Sequence, residues 1–486
     1  MRNSFNHKLN LDTEWVILRR LAILSGVQPV YFHCCINSCI AYTEKYQHHD
    51  SCPFCNESRY GPQSKPRRLF SYIPIIPRLQ GFYQNVETIK KLSYRAHLPH
   101  VPGVIRDVFD SQNYRNLLKK NVVVDGVTRP YTYFCDKRDL AFSLCVDGYL
   151  LFKRRRGGPS ATPILVQNYN LPPQIRTHIG NLICLGIIPP PRGPKDIHSF
   201  LAPFDEELAQ LAIGIPTFDA SQQSVFDLRA YVILKMGDIV AMDKLLGIKG
   251  VNAVSPCRSC KIKGVRKINT GGTNYYVPLV TPVNSVSDRP SIDPRNLVYR
   301  KHKDFDAVLR QMEAAPTAKL RAEISKKHGI REAPALRRVC SIDYARSCPY
   351  ELMHLVFENI IPNKVKLWTG KFPGIAPGSD FEFTKDDWEA IGEETADAIR
   401  HIPAAFVRVL GNIADERSTF TAESWSFWFI YLAPHLLKGR FNDNKYYKHM
   451  LGLVRILRTL LKFEITAAEV DELEVWIVDW VETFER

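Results

Sequence analysis

The spacing of the cysteines near the N-terminus is the strongest constraint on how this chain can fold. Cys35 and Cys39 form one closely spaced pair, and Cys52 and Cys55 form a second pair after 12 intervening residues. Two such pairs can supply the four thiolates of a tetrahedral Zn²⁺ site, so the pattern predicts a zinc ribbon within residues 1–60. Because four protein ligands leave no position for a substrate, this zinc is expected to be structural. A group of unrelated buried cysteines is the alternative.

A second cysteine pair, Cys257 and Cys260, precedes a segment rich in Lys and Arg. Its partners could be Cys340, Cys348 or His354, but about 80 residues separate the pair from them, which is not a typical zinc-finger spacing. A second zinc site and a tight turn with two packed thiols both stay open.

The composition predicts a folded protein with a basic N-terminal third. The 486 residues are 45% hydrophobic and 24% charged, close to the average of globular domains. Residues 1–160 carry 24 Lys and Arg against 12 Asp and Glu, and so account for most of the formal net charge of +15. A cationic surface attracts polyanions, of which nucleic acid is the commonest in a cell. The longest apolar run, residues 425–437, is too short to span a membrane, and no membrane partner is expected.

Two carboxylates stand out because they interrupt or end apolar segments. Asp147 lies inside the run 141–152, which is typical of a buried strand, and a turn at 157–160 followed by the apolar stretch 163–169 predicts a β-hairpin. Asp238 follows a second apolar stretch, residues 228–236. Unpaired buried charge is costly, and a divalent cation would compensate it. Capping of a helix or pairing with an arginine is the alternative for each aspartate.

Further short motifs accompany the cysteines and these two aspartates in a fixed order. They are Leu69-Phe-Ser-Tyr-Ile-Pro-Ile-Ile-Pro-Arg-Leu79, Asp147-Gly-Tyr, Asn170-Leu-Pro-Pro, Pro194-Lys-Asp-Ile197, Gly237-Asp-Ile239, Ser255-Pro-Cys-Arg-Ser-Cys260, Met353-His354, Glu358-Asn359 and Thr421-Ala-Glu-Ser-Trp425. Together with the N-terminal cysteines, they resemble the CACTA (En/Spm-type) transposase family, particularly its fungal members. The resemblance spans nearly the whole chain.

The resemblance implies an α+β protein with a ribonuclease H-like catalytic core, an N-terminal zinc ribbon and a helical C-terminal region. The expected domains are residues 1–60 as the zinc ribbon and 61–138 as a basic helical connector. Residues 139–250 are the first part of the core, 251–345 an insertion with the Cys-x-x-Cys pair, and 346–486 a helical region that completes the core.

The resemblance also implies a DDE-type DNA transposase that cuts and joins DNA at transposon terminal repeats with two Mg²⁺ or Mn²⁺ ions. Asp147 and Asp238 match the first and second catalytic aspartates of the family. Glu423, at the start of a predicted helix, is the first choice for the third acid, and Glu358 is the alternative. Complementing the dipole of that helix would equally explain Glu423.

A polar face on the predicted helix 351–363 is a further candidate site. Glu351, His354 and Glu358 fall on one side of this helix at about 100° per residue, where they could meet DNA or metal. The family pattern has Asp-x-x-His here, so Glu351 is a departure that lengthens the side chain by one methylene. The polar outer face of a packed helix is the alternative interpretation.

A run of four cations, Lys153, Arg154, Arg155 and Arg156, follows the Asp147 segment and is predicted to contact DNA phosphates. A solvated charge run or a nuclear-import signal would look the same. The expected partners are the terminal inverted repeats and the target DNA, together with a homo-oligomer as an open expectation, and the expected location is the nucleus.

A catalytically inactive, domesticated or truncated transposase derivative is the main alternative function. The cysteine cluster lies close to Met1 and leaves little room for a helix-turn-helix module, and related chains are expected to continue beyond Arg486. Such a derivative would act as a zinc-containing DNA-binding protein. A zinc-dependent hydrolase is disfavoured because the chain has no His-Glu-x-x-His motif.

Overall fold

The computed structural model describes residues 13–152, 158–266, 275–283, 285, 289–407 and 410–486. The cationic run Lys153, Arg154, Arg155 and Arg156 lies outside the described residues. No helix in the described ranges combines the length and the apolar character that a membrane crossing requires.

The strands are mostly short and are concentrated between residues 104 and 236. They are β1 (Val30–His33), β2 (Leu69–Tyr72), β3 (Val104–Ile105), β4 (Asn121–Val124), β5 (Val127–Thr132), β6 (Leu140–Val146), β7 (Tyr149–Leu150), β8 (Ser160–Asn168), β9 (Ile183–Ile188), β10 (Ile215–Asp219), β11 (Ser224–Leu228), β12 (Ala230–Met236) and β13 (Ile465–Thr466).

Helices dominate the chain after residue 300. The α-helices are α1 (Glu14–Ser25), α2 (Ile76–Phe82), α3 (Val86–Leu92), α4 (Tyr94–His97), α5 (Gln112–Leu117), α6 (Pro173–Arg176), α7 (His198–Ile213), α8 (Ile239–Leu245), α9 (His302–Glu313), α10 (Ala318–His328), α11 (Ile361–Trp368), α12 (Lys385–Ala398), α13 (Ile413–Glu416), α14 (Ala422–Phe427), α15 (Ala433–Leu436), α16 (Asn444–Leu460) and α17 (Ala467–Glu485). Two π-helical segments, Met353–Ile360 and Trp428–Leu432, interrupt this series.

The chain divides into two compact units. The first unit contains Met1–Pro99, Gln112–Gly250 and Arg300–Pro349, and the second contains His100–Ser111, Val251–Tyr299 and Tyr350–Arg486. The domain boundaries expected from the sequence stay a prediction.

The first unit is built on a mixed sheet with the strand order β1-β2-β9-β8-β6-β12, with β7 attached to β8. Strands β6 and β12 are parallel, and the other neighbours are antiparallel. The hairpin expected from the sequence is confirmed, because β6 pairs antiparallel with β8 from Phe142↔Asn168 to Val146↔Ile164. Helix α7 packs against β12. Successive residues of β6 are buried on both faces of the sheet, which explains the continuous apolar sequence of this strand.

The position of Asp147 differs in one respect from the expectation. Strand β6 ends at Val146, so Asp147 follows the strand instead of lying inside it. The side chain of Asp147 is half-buried and Gly148 is exposed, whereas Val146 is 1% exposed. The polar Asp-Gly pair therefore ends the strand where the chain leaves the apolar core, and the carboxylate avoids full burial.

The second unit is a helical assembly around one apolar core. Its core is formed by aromatic and aliphatic side chains from the π-helical segments and from α11, α12, α14 and α16, among them Trp368, Trp388, Trp425 and Trp428. Helix α17 packs against α16. Residues 350–486 are mostly helical where the structure describes them, as expected for the C-terminal region, and the short pair β3–β13 is the strand element of this unit in the described ranges.

Candidate functional site: a four-cysteine cluster and an acidic sheet edge

The four N-terminal cysteines lie on two tight turns. In the first turn, the Ser38 amide donates to the Cys35 carbonyl at 2.7 Å, and in the second the Asn56 amide donates to the Cys52 carbonyl at 2.8 Å. Ser38 and Asn56 have φ angles of 56° and 58°, the left-handed conformation that lets a chain reverse within so few residues. Each turn thereby directs its cysteines towards the other turn.

The sulfur atoms of Cys35, Cys39, Cys52 and Cys55 all lie within 4.8 Å of one another. Backbone and side-chain N–H groups of Asn37 donate to two of them, to Cys35 Sγ at 3.3 Å and to Cys55 Sγ at 3.6 Å. Burial would raise the pKa of Cys55, but hydrogen bonds from the Glu57 amide, Asn37 and the neighbouring thiols lower it to about 7. These hydrogen bonds favour the thiolate form of Cys55, which is the form that binds metal, whereas burial raises the pKa of Cys39 and Cys52. The predicted cluster is confirmed, and it can hold a metal ion such as zinc.

Within the first unit, the cluster contacts the segment that follows β9. The Cys39 carbonyl accepts from the amides of Lys195 and Asp196 at 2.9 and 3.1 Å. The Asp196 carboxylate in turn accepts from Tyr46 at 2.9 Å and pairs with Lys45 at 2.8 Å. Cys39, one of the four cysteines that can bind metal, therefore fixes the backbone of the segment at Lys195 through a hydrogen bond.

The second cysteine pair forms a tight turn in the second unit. Cys257 Sγ accepts from the Ser259 and Cys260 amides at 3.3 and 3.2 Å, and lies 3.3 Å from the Tyr350 hydroxyl. The pKa of Cys257 is lowered to about 5, chiefly by hydrogen bonding to Cys260. Burial opposes this effect, and hydrogen bonds to Tyr350 and the amides of the turn reinforce it. Within the described residues, Cys257 and Cys260 are not part of a cluster of three or more metal-ligating side chains. The second zinc site stays a prediction.

Asp147 and Asp238 follow two adjacent parallel strands at the same edge of the sheet. Strand β12 pairs with β6 up to Met236↔Cys145, and continuing this register places Asp238 level with Asp147. The backbones also approach closely here, because a Cβ atom added to Gly237 would lie only 2.7 Å from the Val146 carbonyl oxygen. We call this region, defined by Asp147 and Asp238, the acidic edge.

Each aspartate of the acidic edge uses one oxygen in a local hydrogen bond. Asp147 Oδ1 accepts from the Gly148 amide at 2.7 Å. Asp238 Oδ1 accepts from the Ala241 amide at 2.6 Å and so caps α8, which is the structural alternative considered for this residue. Capping uses one carboxylate oxygen of Asp238, and its second oxygen makes no hydrogen bond within the described part of the chain. Half-buried carboxylates of this kind are suitable ligands for Mg²⁺ or Mn²⁺.

In the second unit, the three polar residues of the segment 351–358 do meet on one face. The ring of His354 lies between two carboxylates, with Nδ1 hydrogen-bonded to Glu351 and Nε2 at 3.9 Å from Glu358. Glu351 also accepts from the amides of Met353 and His354, at 2.9 and 3.1 Å, and so caps this segment. The segment is π-helical, a conformation that is rare and frequent at functional sites.

Glu423 lies in the first turn of α14, as predicted. Thr421 caps this helix by accepting from the Ser424 amide at 3.3 Å. The Glu423 side chain is exposed and makes no hydrogen bond or ion pair with the residues that the structure describes. Both candidates for the third acid therefore belong to the second unit, whereas Asp147 and Asp238 belong to the first.

Two lysines near Asp238 were not among the candidate residues. Lys244 lies on α8 close enough to Asp238, Lys195 and Arg331 to interact with their charges. The motif Pro194-Lys-Asp-Ile197 singles out Lys195, but nothing in the sequence indicates that it lies near residue 244. The tertiary fold, not sequence spacing, brings these residues together.

The comparisons with known proteins agree with the motifs. Residues 103–279 match a family model described as "Transposase family tnp2", and this range includes Asp147, Asp238, Cys257 and Cys260. No curated protein matches the sequence significantly. A fungal origin stays a prediction. Over residues 103–279 the chain matches the tnp2 transposases, which confirms the predicted resemblance to the CACTA (En/Spm-type) transposase family.

Proposed function

We propose that this protein is a DDE-type transposase that cuts and joins DNA at transposon terminal repeats. The single observation that carries the proposal is the acidic edge, where Asp147 and Asp238 follow adjacent parallel strands in matching register within the segment that matches the transposase family. Carboxylates held side by side in this way can share divalent cations.

The topology of the sheet supports a ribonuclease H-like core. Taken in chain order, β6, β8 and β9 form an antiparallel meander, α7 follows, and β12 returns parallel to β6 on its other side. A ribonuclease H-like core is expected to hold two divalent cations between carboxylates carried by its strands. In the proposed core, Asp147 and Asp238 would be two of these carboxylates, because they follow the adjacent parallel strands β6 and β12.

The residues of this chain have separable tasks in the proposed reaction. Asp147 and Asp238 would hold two Mg²⁺ or Mn²⁺ ions, which stabilise charge on the attacking and leaving oxygens of the phosphodiester. Glu423 would be the third ligand, since its carboxylate is exposed and not engaged by described neighbours, whereas Glu358 is 3.9 Å from His354. The cysteine cluster, filled with zinc, would have a structural task.

The proposed partner is DNA and the proposed location is the nucleus. The basic N-terminal third, with 24 Lys and Arg in residues 1–160, supports a polyanionic partner. The run Lys153, Arg154, Arg155 and Arg156 connects the acidic edge to β8 along the chain, so its contact with DNA phosphates is part of this proposal. A homo-oligomer belongs to the proposal as well.

Substitution of the first aspartate tests the proposed chemistry. Asp147→Asn keeps the shape of the side chain but removes the charge that binds metal, so nicking of terminal-repeat DNA in Mn²⁺ should fall by at least about 100-fold, the effect of about 3 kcal/mol of lost transition-state stabilisation. DNA binding, measured by a mobility shift, should change little. Asp227→Asn is the matched control, because Asp227 is an exposed residue of β11 that pairs with Arg229.

The alternative of an inactive, DNA-binding derivative predicts a different result. The wild-type protein would then shift the DNA and leave it uncut in both Mg²⁺ and Mn²⁺. If the wild-type protein cuts DNA and Asp147→Asn cuts equally well, Asp147 has no part in the reaction and the acidic edge is not the active site.

A further inference from the structure

A cluster of cations lies beside the acidic edge and is built from three separate parts of the first unit. Lys195 comes from the segment after β9, Lys244 from α8 and Arg331 from the segment after α10. We propose that Lys195 and Lys244, supported by Arg331, form a phosphate-binding site that holds the DNA backbone next to Asp238. This inference rests on the proposed function for the identity of the polyanion.

The topology places the segment that carries Lys195 at the acidic edge. Strand β9 ends at Ile188, which pairs with Thr162 on β8, and β6 ends at Val146, which pairs with Ile164 on the same strand. The ends of β6 and β9 are therefore only two residues apart when both are measured along β8. The segment that follows, residues 189–197, begins at the same edge as Asp147.

Backbone contacts then fix this segment against its surroundings. The Ser160 amide donates to the Pro191 carbonyl at 3.2 Å, and the Ser38 hydroxyl donates to the Pro190 carbonyl at 3.2 Å. The Cys39 carbonyl holds the Lys195 amide at 2.9 Å. Because hydrogen bonds fix this segment near both of its ends, the site is preorganised, and little conformational entropy is lost when a ligand binds.

Gly193 brings the same segment close to α8. A Cβ atom at Gly193 would lie 3.3 Å from Lys244 Nζ, so the ammonium group of Lys244 packs against the backbone beside Lys195. Lys244 is half-buried and Lys195 is exposed. The two lysines thus differ in solvent exposure, as expected for a site of which one side faces solvent.

The two lysines of the cluster are not engaged in ion pairs among the residues that the structure describes. Burial lowers the pKa of Lys244, repulsion from Lys195 and Arg331 lowers it further, and the charge of Asp238 opposes both effects. Arg331 is paired with Glu332 at 2.8 Å. Neither Lys195 nor Lys244 makes a side-chain hydrogen bond or ion pair within the described ranges. The two lysines, which make no ion pair with a described residue, are suited to a phosphodiester, to which lysine binds as a point charge.

The salt dependence of DNA binding tests this site. The double variant Lys195→Gln/Lys244→Gln keeps most of each side chain and removes two charges. With a labelled 20-base-pair duplex, the slope of log K against log salt should become shallower by about two, because each phosphate contact contributes about −0.9 to it. The affinity near 0.1 M salt should fall roughly tenfold or more. Melting curves of both proteins establish that the variant is folded.

The matched control is Lys303→Gln/Lys319→Gln, which removes two exposed lysines from α9 and α10 of the same unit. Its slope should stay at the wild-type value. Equal slopes for the wild-type protein and the Lys195/Lys244 variant would overturn the inference, and so would equal losses in the two double variants. Failure of the wild-type protein to bind the duplex would overturn it as well.

Cleavage separates this inference from the proposed function. A wild-type protein that binds but never cuts DNA, together with a shallower slope for the Lys195/Lys244 variant, would support the phosphate site and contradict the transposase chemistry. A wild-type protein that cuts DNA, together with an unchanged slope for the variant, would leave the chemistry intact and remove the phosphate site.

Discussion

Gly237 determines how closely the two aspartates of the acidic edge can approach each other. Its φ angle is +156°, and a side chain here would meet both the Val146 carbonyl oxygen at 2.7 Å and the Ala241 Cβ atom at 3.1 Å. The first of these atoms belongs to the backbone of β6 and cannot move without disturbing the sheet. Glycine is therefore required at the residue that precedes Asp238.

Replacement of Gly237 by alanine should separate the two aspartates. We expect Gly237→Ala to lower the free energy of unfolding by about 1–3 kcal/mol and to reduce Mn²⁺-dependent nicking strongly, since the steric conflict pushes Asp238 away from Asp147. Urea denaturation and the nicking assay measure the two effects. Gly81→Ala is the control, because Gly81 lies in α2 with no atom within 4 Å of the added Cβ, and alanine is favoured in a helix. Wild-type nicking by Gly237→Ala would contradict this account of the edge.

The N-terminal ribbon is an element whose fold depends on what its cysteines bind. Its own apolar core is small and consists of Ile40, Tyr42, Tyr46 and the cysteines themselves. A small core of this kind provides little stabilisation, so the free energy of metal binding becomes part of the free energy of folding.

Metal analysis of the purified protein tests this dependence. We expect about one zinc ion per chain at the cluster, and Co²⁺ in its place should give the intense thiolate charge-transfer bands of tetrahedral sulfur coordination. Cys52→Ser should abolish these bands, whereas Cys135→Ser should not, because Cys135 is an exposed cysteine outside the cluster. The Cys39 carbonyl accepts a hydrogen bond from the amide of Lys195, a residue of the proposed phosphate site. Loss of the metal should therefore also weaken DNA binding. Cobalt bands that persist in Cys52→Ser would contradict the four-cysteine assignment.

At the scale of elements, the sequence predicts what depends on local pattern. Cysteine spacing identifies the cluster, and the apolar runs around Asp147 and before Asp238 identify β6 and β12. The sequence does not predict that β1 and β2 extend the same sheet, because β2 joins it through a single residue pair, Tyr72↔Gly186. Pairings between distant short strands follow from tertiary packing, which a local pattern does not encode.

At the scale of the whole molecule, the candidate acidic residues come from both units. Asp147 and Asp238 can be paired from the sheet of the first unit alone, but Glu423 and Glu358 belong to the second unit. Sequence order therefore suggests candidates for the third acid without choosing among them. Helix capping by Thr421 explains why an acidic residue suits position 423 even without a catalytic task, because a carboxylate in the first turn complements the helix dipole.

The two glutamates differ in their surroundings, and this difference predicts which of them takes part in the reaction. Glu423 has no hydrogen bond or ion pair within the described part of the chain, so its carboxylate is available to a cation. Glu358 lies 3.9 Å from His354, which a metal would have to displace or accommodate. We expect Glu423→Gln to reduce Mn²⁺-dependent nicking by at least about 100-fold and Glu358→Gln to reduce it by less than about tenfold.

Nicking rates at several Mn²⁺ concentrations distinguish a ligand from a residue that stabilises a helix. A metal ligand lost by substitution should raise the Mn²⁺ concentration needed for half-maximal rate, while the loss of a favourable dipole interaction should lower the free energy of unfolding by only about 0.3–1 kcal/mol and leave nicking unchanged. Each variant is therefore its partner's control, since both remove one exposed carboxylate from the same unit. The reverse ranking would assign the third acid to Glu358, on the π-helical segment that carries His354, and not to Glu423 at the start of α14.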